Sequence, residues 1–205
     1  RGLVGSSAHC VIVNCFVDGI ISGSGKNIGG IAGLSDNATI ERCVVMGTIA
    51  GSEKVGGLVG SLANSVLKNC SFNGNVSGVS TLGGSVGITT NGSRISRSTS
   101  SGFVSGSGSS IGGFTGMNYT KSKIFDSYSL ATVSGFEGSV GGFLGFSGDS
   151  NQSSVIRCYS AGQVTQKGFI GQIQNSTVSA SFWDINTSVS YTHLTLPTSY
   201  PGVVG

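Results

Sequence analysis

Charge is scarce in this chain. Lys, Arg, Asp and Glu together make up 9% of its 205 residues, for a net charge of +3. The basic residues form no block along the sequence and do not interleave with aromatics, so the usual footprint of a nucleic-acid binder is missing. The acidic residues are Asp18, Asp36, Glu41, Glu53, Asp126, Glu137, Asp149 and Asp184. They form no recurrent pair, which removes the paired carboxylates of glycoside and proton-transfer chemistry. Histidine occurs only at His9 and His193. There is no H-E-x-x-H and no C-x-x-C, so the spacings that hold zinc are lacking. No apolar run reaches the length of a membrane-crossing helix. The expectations are therefore no catalytic residue, no cofactor, no metal site, no nucleic-acid partner and no membrane insertion.

A helical period is missing too. Thirty-six glycines and many Ser, Thr and Val residues oppose helix. What is present instead is a repeat marked by Gly-Gly pairs at Gly29-Gly30, Gly56-Gly57, Gly83-Gly84, Gly112-Gly113 and Gly141-Gly142, spaced 27 or 29 residues apart. Degenerate copies stand at Arg1-Gly2 and Lys167-Gly168. Self-similarity at this period indicates a coil of stacked units, each burying its apolar side against the next.

Aligned on the Gly pairs, the units share an anchor at Cys15, Cys43, Cys70, Ser98, Ser127, Cys158 and Ser181. Three residues before it stand Ile12, Ile40, Leu67, Ile95, Ile124, Val155 and Val178. Six residues after it stand Ile21, Ile49, Val76, Val104, Val133 and Val164. An aliphatic residue precedes each Gly pair, and the one that follows is usually large and apolar. Fixed offsets of this kind stack inward-facing residues into ladders. Each unit reads as three short strands, with glycines free to take positive φ at the corners. The expected fold is all-β, a parallel β-solenoid (β-helix) of about seven turns of 26–29 residues, right-handed by extension of the crossover rule.

Ser replaces Cys freely at the anchor, which a disulfide would not tolerate. The column is read as small buried side chains, with Cys15, Cys43 and Cys70 reduced. Three motifs mislead. Gly23-Ser24-Gly25-Lys26-Asn27 resembles a phosphate loop but fails its full pattern, and fits a solvated corner better. His9 beside Cys10 forms a nucleophile–base pair only on paper, since neighbouring strand residues face opposite ways. Tyr128, Tyr159, Phe16 and Phe182 directly follow anchors; they either stack as a packed ladder, the favoured reading, or line an exposed face that could take sugar rings.

The pattern stops after Phe182-Trp183-Asp184. Residues 189–198 are encoded without mismatch by GTC TCT TAT ACA CAT CTG ACG CTG CCG ACG, which resembles the transposase end sequence of shotgun DNA libraries. The expectation is a native solenoid over 1–188, a fragment of a longer array from environmental (metagenomic) DNA, followed by an adapter-derived tail over 189–205.

With these columns laid out, the units resemble the GLUG motif. Its hallmark G-G-L-V-G stands at Gly56-Gly57-Leu58-Val59-Gly60, with variants at Gly29 to Gly33 and Gly141 to Gly145. Unit four departs from it, with Ser85 in the apolar position and Ser98 at the anchor. The resemblance implies a non-catalytic structural or adhesive module of a large bacterial cell-surface or secreted protein. Its partners would be an extracellular protein or glycan and the flanking repeats of the same parent chain. The alternative it implies is the accessory repeat region of a secreted IgA-specific metallopeptidase. A carbohydrate-active β-helix enzyme is the third reading, and it would need carboxylates clustered on one outer face.

Overall fold

The computed structural model describes residues 2–148, 152–166 and 168–184. Residues 185–205, on which the adapter reading falls, lie outside the described residues, as does Asp149. The described residues form strands and turns with no helix.

The strands stack into four parallel sheets, each built from the same position of successive units. Sheet 1 begins with Val4–Ala8 and ends with Ile170–Gln174; sheet 2 runs from Val11–Val13 to Thr177–Ser179; sheet 3 runs from Phe16–Ser22 to Phe182–Trp183; sheet 4 runs from Lys26–Gly29 to Val140–Gly141. The chain visits them in the order 1, 2, 3, 4 and makes about six turns. Among the described residues, the last two units contribute strands to the first three sheets and none to sheet 4. The fold is a β-solenoid, as the repeat implies.

Register follows the sequence columns. Ile12, Ile40, Leu67, Ile95, Ile124, Val155 and Val178 pair in succession across sheet 2. Five of them, Ile40 through Val155, have no exposed surface. Ile21, Ile49, Val76, Val104 and Val133 do the same in sheet 3, and Val164 joins them by a bridge. Ile28, Val55, Leu82, Ile111 and Val140 form the buried rung of sheet 4.

Two details correct the sequence reading. The first five units place strands in four sheets rather than three: the anchor segment bends, its second half runs on into the sheet 3 strand, and a separate short strand before the Gly pair forms sheet 4. The corners that bound sheet 2 are also turned mostly by residues other than glycine, Gly92 (φ 75°) being an exception. Entry to sheet 2 passes through His9, Asn37, Asn64, Asn91, Thr120, Gln152 or Asn175, with φ between 45° and 55°. Exit passes through Asn14, Arg42, Asn69, Arg97, Asp126, Arg157 or Ala180, with φ between 46° and 55°. Asn and Asp tolerate this left-handed conformation because their short side chains bond locally. Four of the positive-φ glycines, Gly19, Gly47, Gly74 and Gly102, lie instead in mid-strand of sheet 3, stacked on one another, while Gly92 and Gly138 are at corners.

The G-G-x-x-G motif has a different cause, which is close approach. A Cβ on Gly57 would lie 2.1 Å from the Gly84 carbonyl oxygen and 2.2 Å from Cγ of Phe72. One on Gly60 would lie 2.6 Å from the Ile28 nitrogen. Sheets 1 and 4 therefore meet backbone to backbone, with no space for side chains. The residue packed against the second glycine varies along the coil: Val45, Phe72, Ser100, Ser129, Ser160. Where it is serine in the last turns, the residue after the pair is a phenylalanine. Phe114, Phe143 and Phe169 stack with ring centroids 4.8 and 5.0 Å apart, and Trp183 closes the row. Unit four, with serine at both places, satisfies its buried hydroxyls by donation from Ser85 to the Thr99 carbonyl (3.2 Å) and from Ser100 to the Gly113 carbonyl (2.7 Å).

Candidate functional site

The anchor column lies at the corner between sheets 2 and 3. Each anchor side chain donates to the carbonyl two residues back: Cys70 to Lys68 (3.2 Å), Ser98 to Ser96 (2.9 Å), Ser127 to Phe125 (2.9 Å), Ser181 to Ser179 (2.9 Å). Each also accepts the backbone N–H of the anchor one turn earlier. Cys43 N–H reaches Cys70 Sγ at 3.5 Å, Cys70 N–H reaches Ser98 Oγ at 3.2 Å, and Cys158 N–H reaches Ser181 Oγ at 3.0 Å. This explains the Cys/Ser exchange better than size does. Both residues offer one donor and one acceptor, and a buried backbone N–H left unpaired would cost about 1–3 kcal/mol. A similar ladder stands at the other corner, where Ala38 N–H donates to Ser65 Oγ (3.0 Å) and Ser65 N–H to Ser93 Oγ (3.2 Å). The serine column at 65, 93, 122, 153 and 176 marks this corner in the sequence, but the bonds form only at Ser65 and Ser93; the hydroxyls of Ser122, Ser153 and Ser176 are buried without a partner among the described residues.

All five cysteines are free. Cys43, Cys70 and Cys158 are buried; Cys15, in the first turn, is half-buried. Burial pushes the Cys70 and Cys158 thiols up to about 12 from an ordinary 9.0, and raises Cys43 as well. The native state thus favours the protonated thiol. Its contribution to stability is complete below pH 9 and is lost as pH rises toward 12. Between pH 8 and 10 each of the two thiols should cost the fold about 1.4 kcal/mol. Urea titrations at those two pH values check this: Cys70→Ser should lose about 1.4 kcal/mol less than the parent chain. An identical decline in both would contradict the buried, titratable thiol.

At the exit of sheet 2 the polar side chains alternate along the coil and bond in pairs. Arg42 Nε donates to Asn14 Oδ1 at 2.8 Å, and Arg97 Nε to Asn69 Oδ1 at 2.8 Å. Arg157 holds Asp126 through two bonds, of 2.6 and 3.0 Å. Every arginine reaches back one turn, and the next turn supplies a fresh acceptor. The Arg157 guanidinium holds the Asp126 carboxyl below its ordinary range, as Lys68 does for Glu41 and Lys26 for Glu53.

These contacts distribute the carboxylates. Glu41, Glu53 and Asp126 each belong to a separate ion pair; Glu41 and Glu53 are in the same turn but on sheets 2 and 4, and Asp126 is three turns further along. Among the described residues, no three of His, Cys, Asp and Glu gather into a metal-holding group. His9 sits exposed at a corner with φ 51°, not in a strand beside Cys10 as expected. The Gly23–Asn27 segment turns a corner at Gly23–Gly25 and enters the first strand of sheet 4 at Lys26, whose ammonium is 2.5 Å from the Glu53 carboxylate. It borders a cavity of about 600 Å³ lined by Gly5, Ser6, Lys26, Asn27 and Leu34. This space lies beside the first strand of sheet 4, which pairs on one side only.

Two outer faces carry the remaining chemistry. On sheet 3 the residues after the anchors point outward, contrary to the favoured packed-ladder reading: Phe16, Tyr128 and Phe182 are 65%, 43% and 61% exposed. Only Tyr159 and Phe182 touch, with centroids 5.5 Å apart. On sheet 2 the outward positions gather basic residues that are far apart in the sequence. Lys68, Arg94 and Lys123 are on its strands, Lys121 at its entry, and Arg42, Arg97 and Arg157 at its exit.

A coil that repeats one unit, pairs every strand with its counterpart in the next turn and scatters its carboxylates is consistent with a structural repeat module. Residues 51–77 match the GLUG motif. They run from Gly51 through the Glu53–Gly56 strand, the Gly56-Gly57-Leu58-Val59-Gly60 hallmark and the Cys70 anchor to Ser77, and the solenoid fits a region of such repeats. No curated protein matches the chain.

Proposed function

We propose that this chain is a non-catalytic spacer or adhesive segment of a bacterial cell-surface or secreted protein. The observation that carries this reading is the continuous register of all four sheets. Each strand pairs only with the same strand of adjacent turns, so added units lengthen a stiff rod by about 4.8 Å each and leave its cross-section unchanged. The buried residues serve this stacking, and the exposed ones form broad faces rather than a cleft with converging acids. The test is turnover. The full chain, incubated with peptide and oligosaccharide panels, should release no product above a heat-denatured control. Hydrolysis that disappears in Asp126→Asn would overturn the reading and place a reactive carboxylate on the exit corner of sheet 2.

A further inference from the structure

We propose that the outer face of sheet 2 binds a linear acidic polysaccharide. The proposal rests on the reading of the chain as a non-catalytic module and supplies the ligand class.

The argument begins with charge that the sequence disperses and the coil collects. Of the eleven Lys and Arg residues, seven stand on sheet 2 or at the corners that bound it. Among the described residues, only two carboxylates share that face, Glu41 and Asp126; Asp36 sits at the end of the neighbouring sheet 1 strand. The other described acids are elsewhere: Asp18 on sheet 3, Glu53 on sheet 4, and Glu137 and Asp184 beyond the strands of sheet 3.

Neutralisation on this face is partial. Glu41 is shared by Lys68 and Arg42, and Asp126 is held by Arg157. Arg97 has only the neutral Asn69 as its bonded partner. Arg94, Lys121 and Lys123 form no ion pair with a described carboxylate. Arg94 and Lys123 are moreover direct partners in the ladder, in adjacent turns about 4.8 Å apart. Like charges facing each other across neighbouring strands destabilise a sheet. Here the pair stands exposed at the centre of a face whose remaining charges are mostly of the same sign. An anionic ligand laid across it would relieve that repulsion.

Spacing selects the ligand class. From the second turn to the sixth the face offers one or two cations per turn, and the exit arginines Arg42, Arg97 and Arg157 recur every second turn, about 10 Å apart. A linear glycan with one acidic group per sugar or per disaccharide presents charges at this order of spacing. Duplex DNA carries a phosphate charge about every 1.7 Å of axis, roughly twice as dense as seven cations spread over five turns of about 4.8 Å. Single-stranded nucleic acid needs aromatic platforms for its bases. Among the described residues, Phe125 is the only aromatic on the strands of this face, and it is half-buried.

The experiment is a binding titration of the full chain with polygalacturonate and chondroitin sulfate oligosaccharides, neutral dextran, and a 20-base-pair DNA duplex. The two acidic glycans distinguish carboxylate from sulfate as the recognised group. At least one should bind, with affinity falling as salt rises, and dextran should not. Arg94→Ser with Lys123→Ser should weaken binding at least tenfold and make it less salt-dependent. The same variant should melt no lower than the parent, which separates lost affinity from lost fold. Lys26→Ser, on sheet 4, should bind like the parent. Absence of binding to both acidic glycans, equal binding of dextran, tighter binding of the duplex, or unchanged affinity in the double variant would each overturn the proposal. None of these outcomes touches the turnover test, so the two readings can fail separately.

Discussion

Replacing Leu67 by Asp should unfold the chain or sharply lower its urea midpoint. Leu67 has no exposed surface and lies in register between Ile40 and Ile95. Truncating such a side chain alone costs about 2–5 kcal/mol. The carboxylate adds a buried polar group whose neighbours in the column are aliphatic, and it must either remain unpaired or take up a proton. The disturbance also reaches both adjacent turns, because one column serves them all. Val66→Asp is the control: that side chain is half-buried, and the substitution should move the midpoint far less. If Leu67→Asp left the midpoint in place, the inward register of sheet 2 would be wrong.

A single methyl group at Gly57 should be nearly as damaging. The added Cβ would sit within 2.2 Å of both the Gly84 carbonyl oxygen and the Phe72 ring. Gly84 is hydrogen-bonded into the next turn and cannot yield alone. The turns must separate locally or the ring must leave its site, and overpacking of this kind costs about 3 kcal/mol. Gly25→Ala meets nothing within 4 Å and should be almost neutral. Thermal unfolding of the two variants decides. Equal melting temperatures would show that the Gly-Gly pair reflects composition and not close approach.

These two variants mark what the sequence reveals. Ladder positions were legible because a fixed offset within a fixed period forces identical residues to stack. Ile40, Leu67, Ile95 and Ile124 are therefore placed by counting alone. The corners were not legible, because the left-handed residue is Asn in one turn and Arg in the next, and neither carries glycine's signal. That misplacement ran the sheet 2 strand on into the start of the sheet 3 strand. The anchors were read by size, although Cys70 and Ser98 do the same hydrogen-bonding work. The basic face was hidden by distance along the chain: Arg94 and Lys123 are 29 residues apart. They share an offset of four from their anchors, so aligning the charged residues as the apolar ones were aligned would have shown them as neighbours. Outward-facing aromatics such as Tyr128 and Phe182 could not be told from packed ones, since a residue just after a corner has no period of its own.

The pairing of exit-corner side chains constrains how the array can grow. Excising the third unit would stack Arg42 against Arg97, two cations with no acceptor between them, whereas excising the third and fourth together would bring Arg42 against Asp126 and leave an acceptor for every arginine. The same holds for insertion. Although the apolar core repeats every unit, the corner repeats every two, so duplications and deletions that preserve its bonds add or remove turns in pairs.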